Sequence, residues 1–198
     1  MIDAAAMLKL MPSPLLKAFC GMGTLKAVGS GDLNWFADAA MSLTHPNNNV
    51  SAQFGFQGLL TGAFFQPEAP SSKRGYGFYT GLRYDLPSRT TLGLEYNHGS
   101  ENWITFAPAA DDLWTSKVGV RGNVYEAYVI QELNAKPISS LGAKAYFRLG
   151  YQYFDFDFTG SNNWVGAPVR IGDVNGQFMT LTPLQNAYNV YGTFEVKF

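Results

Sequence analysis

The sequence predicts an all-β fold. The expected architecture is an antiparallel, up-and-down transmembrane β-barrel with about eight strands in this chain, either closed by these strands alone or forming the C-terminal part of a larger barrel. Three observations point there. Segments of alternating apolar and polar residues recur along most of the 198 residues. The connections between these segments alternate in length. Charged residues make up only 15% of the chain while aromatic residues also reach 15%, against roughly 25% charged residues in an average soluble domain. A soluble surface is normally covered with Lys and Glu, so something other than water is expected to face part of this protein.

Period-two alternation marks a strand whose two faces meet different surroundings. In the last segment Tyr188, Val190, Phe194, Val196 and Phe198 share one face, and Asn189, Tyr191, Thr193, Glu195 and Lys197 the other. Upstream, Leu33, Trp35, Ala37, Ala39, Met41 and Leu43 alternate with Asn34, Asp38 and Ser42, and a stretch over 50–60 repeats the pattern. Tyr76, Phe78, Thr80, Leu82, Tyr84 and Leu86 oppose a face of glycines with Tyr79, Arg83 and Asp85. Leu92, Leu94 and Tyr96 oppose Gly93 and Glu95, while Tyr125, Ala127, Val129 and Leu133 oppose Glu126 and Glu132. Ala145, Phe147, Leu149, Tyr151 and Tyr153 oppose Lys144, Arg148 and Gln152. Beyond Tyr153 the apolar parity shifts to Phe154, Phe156 and Phe158, which reads either as a bulge in a projecting strand or as a slip in the assigned register. A weaker strand near Leu25–Val28 completes the set.

If the chain ends on the periplasmic side, the links on that side are 134–141, 87–90 and 45–49, all short. The links on the opposite side, 159–184, 99–118 and 65–73, are mostly long, and short periplasmic turns with longer external loops are the rule for such barrels. The short link 29–32 breaks the trend. Most segments reach the roughly 9–11 tilted residues that a membrane-spanning strand needs. Tyr76, Phe78, Tyr151, Tyr153 and Tyr188 fall near the external strand ends and Tyr84 and Phe198 near the other, as amphipathic rings at a membrane boundary do. A soluble sheet would use the same residues as core.

Residues 1–20 are expected to form a short helical or irregular segment, broken at Pro12 and Pro14, ahead of a barrel over 21–198. That segment either plugs the lumen, lies at the membrane interface or is a linker. It has neither the basic start nor the unbroken apolar run of a secretory leader, and bulky Phe19 argues against a lipoprotein box at Cys20. An exported barrel needs an export signal, so a natural N-terminal portion is expected ahead of this chain.

Several stretches carry a family likeness: Gly77-Phe78-Tyr79-Thr80-Gly81-Leu82-Arg83-Tyr84-Asp85-Leu86-Pro87, Leu92-Gly93-Leu94-Glu95-Tyr96-Asn97, Ala110-Asp111-Asp112-Leu113-Trp114 and Arg121-Gly122-Asn123-Val124-Tyr125-Glu126-Ala127-Tyr128. Over residues 31–198 the chain resembles the C-terminal part of an uncharacterised family of porin-like outer-membrane proteins. The resemblance implies location and architecture, and carries no catalytic or binding residues with it.

The face opposite the apolar stripe bears the charges: Arg83, Glu95, Glu126, Glu132, Lys144, Arg148, Glu195 and Lys197. A charge facing lipid costs up to a few kcal/mol near mid-bilayer, so in a barrel these residues face the lumen. Counting from the turns sets Arg83 opposite Glu95, Glu132 opposite Lys144, and Glu126 diagonal to Arg148. The mixed signs imply neutralisation inside the barrel, and two functions follow. One is a hydrated, porin-like lumen for passive transport of small solutes. The other is a salt-bridged, non-conducting lumen in a structural or partner-binding barrel, whose long external loops offer Trp103, Trp114 and Trp164 as contacts. Strand number decides between them, since about eight strands leave room only for side chains and about sixteen leave an aqueous channel. The expected partners are outer-membrane lipid and, through the terminal strand from Tyr188 to Phe198, the barrel-assembly machinery.

Other chemistries find no support. Net charge is −1 with no basic block for nucleic acid. A single cysteine excludes an intrachain disulfide, and no run of roughly 18 apolar residues marks a membrane helix. The acidic residues Glu101, Asp111, Asp112, Asp155, Asp157 and Asp173 lack the spacing of a calcium loop, and His45 and His98 fall on opposite sides of the connectivity, so no metal is expected. No nucleophile elbow or phosphate-binding glycine pattern occurs. The chain reads as a non-enzyme without a cofactor.

Overall fold

The computed structural model describes residues 16–45, 60, 69, 71–105, 116–133, 144–161, 166–174 and 183–197. Among the described residues, seven strands make one sheet in sequence order, every neighbouring pair antiparallel. They are β1 (Leu16–Val28), β2 (Gly31–Thr44), β3 (Lys73–Asp85), β4 (Thr90–Gly99), β5 (Gly122–Leu133), β6 (Lys144–Phe156) and β7 (Asn186–Lys197). The sheet is open, with β1 and β7 at its edges. No α-helix occurs among the described residues, and none is long and apolar enough to cross a membrane.

The up-and-down, all-β architecture agrees with the alternation pattern, while the count differs. β2 pairs directly with β3, from Thr44↔Lys73 to Asp32↔Asp85, so residues 45–72 connect them. The expected strand over 50–60 lies outside the described residues except for Leu60. β1 is far longer than the expected Leu25–Val28. Two links thereby change sides. Gly29–Ser30, 86–89 and 134–143 now join strands at one end of the sheet, and 45–72, 100–121 and 157–185 at the other. Every short connection lies at one end and every long one at the other, and the exception noted from sequence disappears.

Cross-strand register gathers the apolar residues onto one face. A single transverse row runs Trp35, Leu82, Leu94, Ala127, Tyr151, Val190 across β2 to β7. Toward the end with the long connections, the apolar stretch of each of the last four strands finishes at a tyrosine: Tyr96, Tyr125, Tyr153 and Tyr188. The next position on the same face is polar in all four: His98, Asn123, Asp155 and Asn186. Tyr96 and Tyr125 lie 5.2 Å apart between centroids, and Tyr151 stacks on Tyr188 at 6.4 Å. Such aromatic pairs add about 0.5–1.5 kcal/mol beyond area burial.

The expected bulge in β6 is absent. Its register with β5 and β7 runs without interruption from Lys144 to Asp155. Phe154 therefore sits on the face opposite Tyr153, where it is buried against Val120, Val124 and Ala187 with Phe156 alongside. The apparent parity change reflects a local apolar cluster on the polar face.

Candidate functional site

The polar face carries an ion-pair cluster built from three strands and one connection. After β4, residues 100–105 fold back over this face. Ser100 donates its N–H to the Tyr76 carbonyl, and Trp103 places its ring against Gly77 and Gly99. The indole of Trp103 donates to the Val118 carbonyl (2.7 Å), and Asn97 Nδ2 donates to the Lys117 carbonyl (2.7 Å). These bonds fix a short 3-10 turn, Lys117–Gly119, above β4 and β5.

From that turn Lys117 Nζ donates to Glu95 of β4 and, at 2.6 Å, to Glu126 of β5. Glu126 is the hub: its side chain is only 2% exposed. It also accepts from Arg148 of β6 (2.7 Å), from Gln152 (3.2 Å) and from the Tyr191 hydroxyl of β7. Tyr79 of β3 donates to Glu95. The Arg148 guanidinium lies over the Tyr128 ring at 4.0 Å and near the Tyr191 ring at 5.3 Å. Tyr128 and Tyr191 lie flat against Gly93 and Gly150, whose missing side chains make the room. Two cations face two carboxylates, so the cluster is neutral overall. Burial pulls the Lys117 ammonium down, but Tyr79 and Glu126 and hydrogen bonds to both carboxylates outweigh it, and its pKa lies above the ordinary lysine value.

A second buried cation ties the connections together. Arg121 is 1% exposed, and donates from Nε to the Trp103 carbonyl (3.1 Å) and from Nη1 to the Thr159 carbonyl (3.0 Å). Its own carbonyl accepts from Asp157 and Phe158. The next residue, Gly122, has φ +144°, and a Cβ there would strike the Asp155 carbonyl, so only glycine fits. Burial pushes the Arg121 guanidinium down to about 10, with Glu101 acting in the opposite sense.

The residues expected to face a lumen all lie on the polar face, with partners that differ in part. Glu126 and Arg148 meet, but not as diagonal neighbours: Glu126 stands across from Gln152 and Arg148 across from Ile130, so the arginine reaches along the face to it. Glu95 stands across from Gly81, and Arg83 across from Gly93, so these two do not pair. Arg83 instead binds Asp85 at 2.9 Å. Glu132 stands across from Tyr146 and lies 3.8 Å from Arg89, not beside Lys144. Glu195 accepts from Tyr146, and Lys144 is the backbone partner of Lys197. In β7, Tyr188, Val190, Phe194 and Val196 share the apolar face, and Phe198 lies outside the described residues.

Sequence reasoning missed Lys117, Tyr79, Tyr128, Tyr191 and Arg121. A signal existed for two of the tyrosines: an aromatic on the polar face whose cross-strand neighbour is glycine, as for Tyr128 between Gly93 and Gly150. Among the described residues no three His, Cys, Asp or Glu side chains stand close enough to hold a metal ion.

No curated protein matches the chain, and no solved structure does. One family matches it over residues 16–198, from the start of β1 through β7, and is described as a protein of unknown function, DUF3373. The chain that builds this buried ion-pair hub on an open antiparallel sheet therefore belongs to the DUF3373 family.

Proposed function

We propose that these strands form part of the wall of an outer-membrane β-barrel whose lumen passes small solutes passively. One observation carries this reading: the two faces of the sheet are the reverse of a soluble protein's. Leu82, Leu94 and Val190 are 49%, 59% and 65% exposed, whereas Glu126, Asn97 and Gln152 on the opposite face are 4%, 3% and 6% exposed. An apolar surface of this breadth in a single chain marks contact with another protein or with a membrane. The strand lengths of 10–14 residues suit a bilayer. The tyrosine-to-polar steps at the strand ends, and the sorting of short and long connections to opposite ends, suit the same environment. Residues 100–105 and 116–121, which lie on the polar face and include Lys117, would then narrow the lumen at the end with the long connections.

The same cluster favours a second reading, a barrel whose neutralised lumen does not conduct and whose connections serve a partner. Planar-bilayer recording on the full-length protein separates the two. Conductance steps that grow when Lys117 is replaced by Met support passage past a constriction, and none above background in either protein supports the closed barrel. Protein that stays dissolved and monomeric without detergent refutes both.

A further inference from the structure

All six pairings in the sheet are antiparallel, so the first and last of the seven strands point the same way. β1 enters from the end with the long connections and leaves into Gly29–Ser30, and β7 likewise starts after 157–185 and finishes at Lys197. Joining β1 to β7 directly would make one parallel seam in an otherwise antiparallel sheet. A second copy does not remove the conflict. Copies inserted in one orientation are related by rotation about the membrane normal, which leaves strand direction unchanged, so any edge of one meets an edge of the other in parallel. Bacterial single-chain barrels hold an even number of antiparallel strands.

Among the described residues, no strand pairs with either edge. The apolar face reaches both, with Phe19 58% exposed on β1 and Tyr188 69% exposed on β7, although Gly21, Gly23 and Gly192 thin it there. No proline interrupts either strand, and no inward charge guards the middle of β1. In hydrocarbon an open row of backbone N–H and C=O groups is not tolerated.

Resting on the membrane-barrel reading above, we infer that the two edges are bridged by an odd number of further strands of the same polypeptide, in addition to β1 to β7. The strand next to β1 and the strand next to β7 both run opposite to them. Every neighbour in the described sheet is also a neighbour in sequence, and a strand joined to an edge strand by a turn arrives in the required sense with little loop-closure cost.

Cys20 gives a test, since it sits exposed on β1 and faces Asp38 of β2. Asp38→Cys, Asn189→Cys and Thr193→Cys are made separately in the full-length natural polypeptide, folded in detergent, and treated with a short bis-maleimide. Amide hydrogen exchange is followed on the unmodified protein. The expected result is an intramolecular cross-link for Asp38→Cys, none for the two β7 variants, and slow exchange across both β1 and β7. A cross-link within one chain from Asn189→Cys or Thr193→Cys means direct β1–β7 closure and overturns the inference. Cross-linked dimers through β7 mean closure by a second copy, and fast exchange at both edges means an open sheet; either result also overturns it. Loss of heat-modifiable gel mobility in the unmodified protein would instead count against the barrel reading itself.

Discussion

Replacing Glu126 with Gln removes one charge from the centre of the polar face while keeping the side chain's shape. Glu126 accepts from four donors, Lys117 at 2.6 Å, Arg148 at 2.7 Å, Gln152 at 3.2 Å and the Tyr191 hydroxyl. The amide offers one acceptor oxygen and turns an NH2 toward donors, so at least one cation loses its partner. Breaking a buried ion pair by removing one member costs about 3–5 kcal/mol. Lys117 keeps Glu95 and Arg148 keeps the Tyr128 ring, which places this case at the low end, about 3 kcal/mol. Lys117→Met should cost about as much, because Arg148 still neutralises Glu126 but Glu95 loses its cation and keeps the Tyr79 hydroxyl. In Lys117→Met/Glu126→Gln the lysine no longer needs the missing carboxylate, so the joint cost should fall short of the sum by about 1–2 kcal/mol. Denaturant unfolding of the detergent-folded protein, followed by tryptophan fluorescence, measures all three. A Glu126→Gln protein within about 0.5 kcal/mol of the parent, or costs that simply add, would refute the view that Glu126 organises the polar face.

Leu94→Arg separates membrane from water directly: at mid-bilayer it should cost about 2–4 kcal/mol, whereas at an exposed site in water it should change stability by no more than about 0.5 kcal/mol, as read by refolding into lipid vesicles. Gly93→Ala puts a methyl into the Tyr128 ring, which Arg148 holds from the other side, and should destabilise by about 1–3 kcal/mol in the temperature at which gel mobility shifts. Arg121→Met leaves the Trp103 and Thr159 carbonyls without their donor, at about 1–3 kcal/mol for each unsatisfied group. Limited proteolysis should then cut both 100–121 and 157–185 faster, and cutting confined to one of them would argue against a shared anchor.

The faces of the sheet were legible in the sequence because side-chain period is a local property. Leu82, Leu94 and Tyr151 each announce their face within a few residues, and the register brings them into one row. The partners were not legible. The turn after β3 holds Pro87, Ser88 and Arg89, with Arg89 at φ 62° and Leu86 N–H bonded to the Thr90 carbonyl. A left-handed arginine carries no glycine-like signal, so counting from the turn misplaces the pairing by two residues. That error is even: every side chain stays on its correct face while Glu95 moves from Arg83 to Gly81. Lys117 was invisible for a different reason. It comes from a connection, where no periodicity operates, and its position depends on bonds from Asn97 and Trp103 that only the folded chain assembles.

Every glycine within β3 to β6 belongs to the charged side: Gly75, Gly77, Gly81, Gly93, Gly122 and Gly150, with Gly99 closing β4. The opposite side of these four strands is filled with bulky residues instead. A ribbon thinned on one surface and thickened on the other bends toward the thin one, as wood does when one side shrinks. In the barrel proposed above, the side that bears Glu126 would form the inner wall, and the bore would depend on how little volume those positions hold. Swapping several of them for larger residues would straighten the arc and widen the circle it belongs to, a dimension controlled by atoms the chain leaves out.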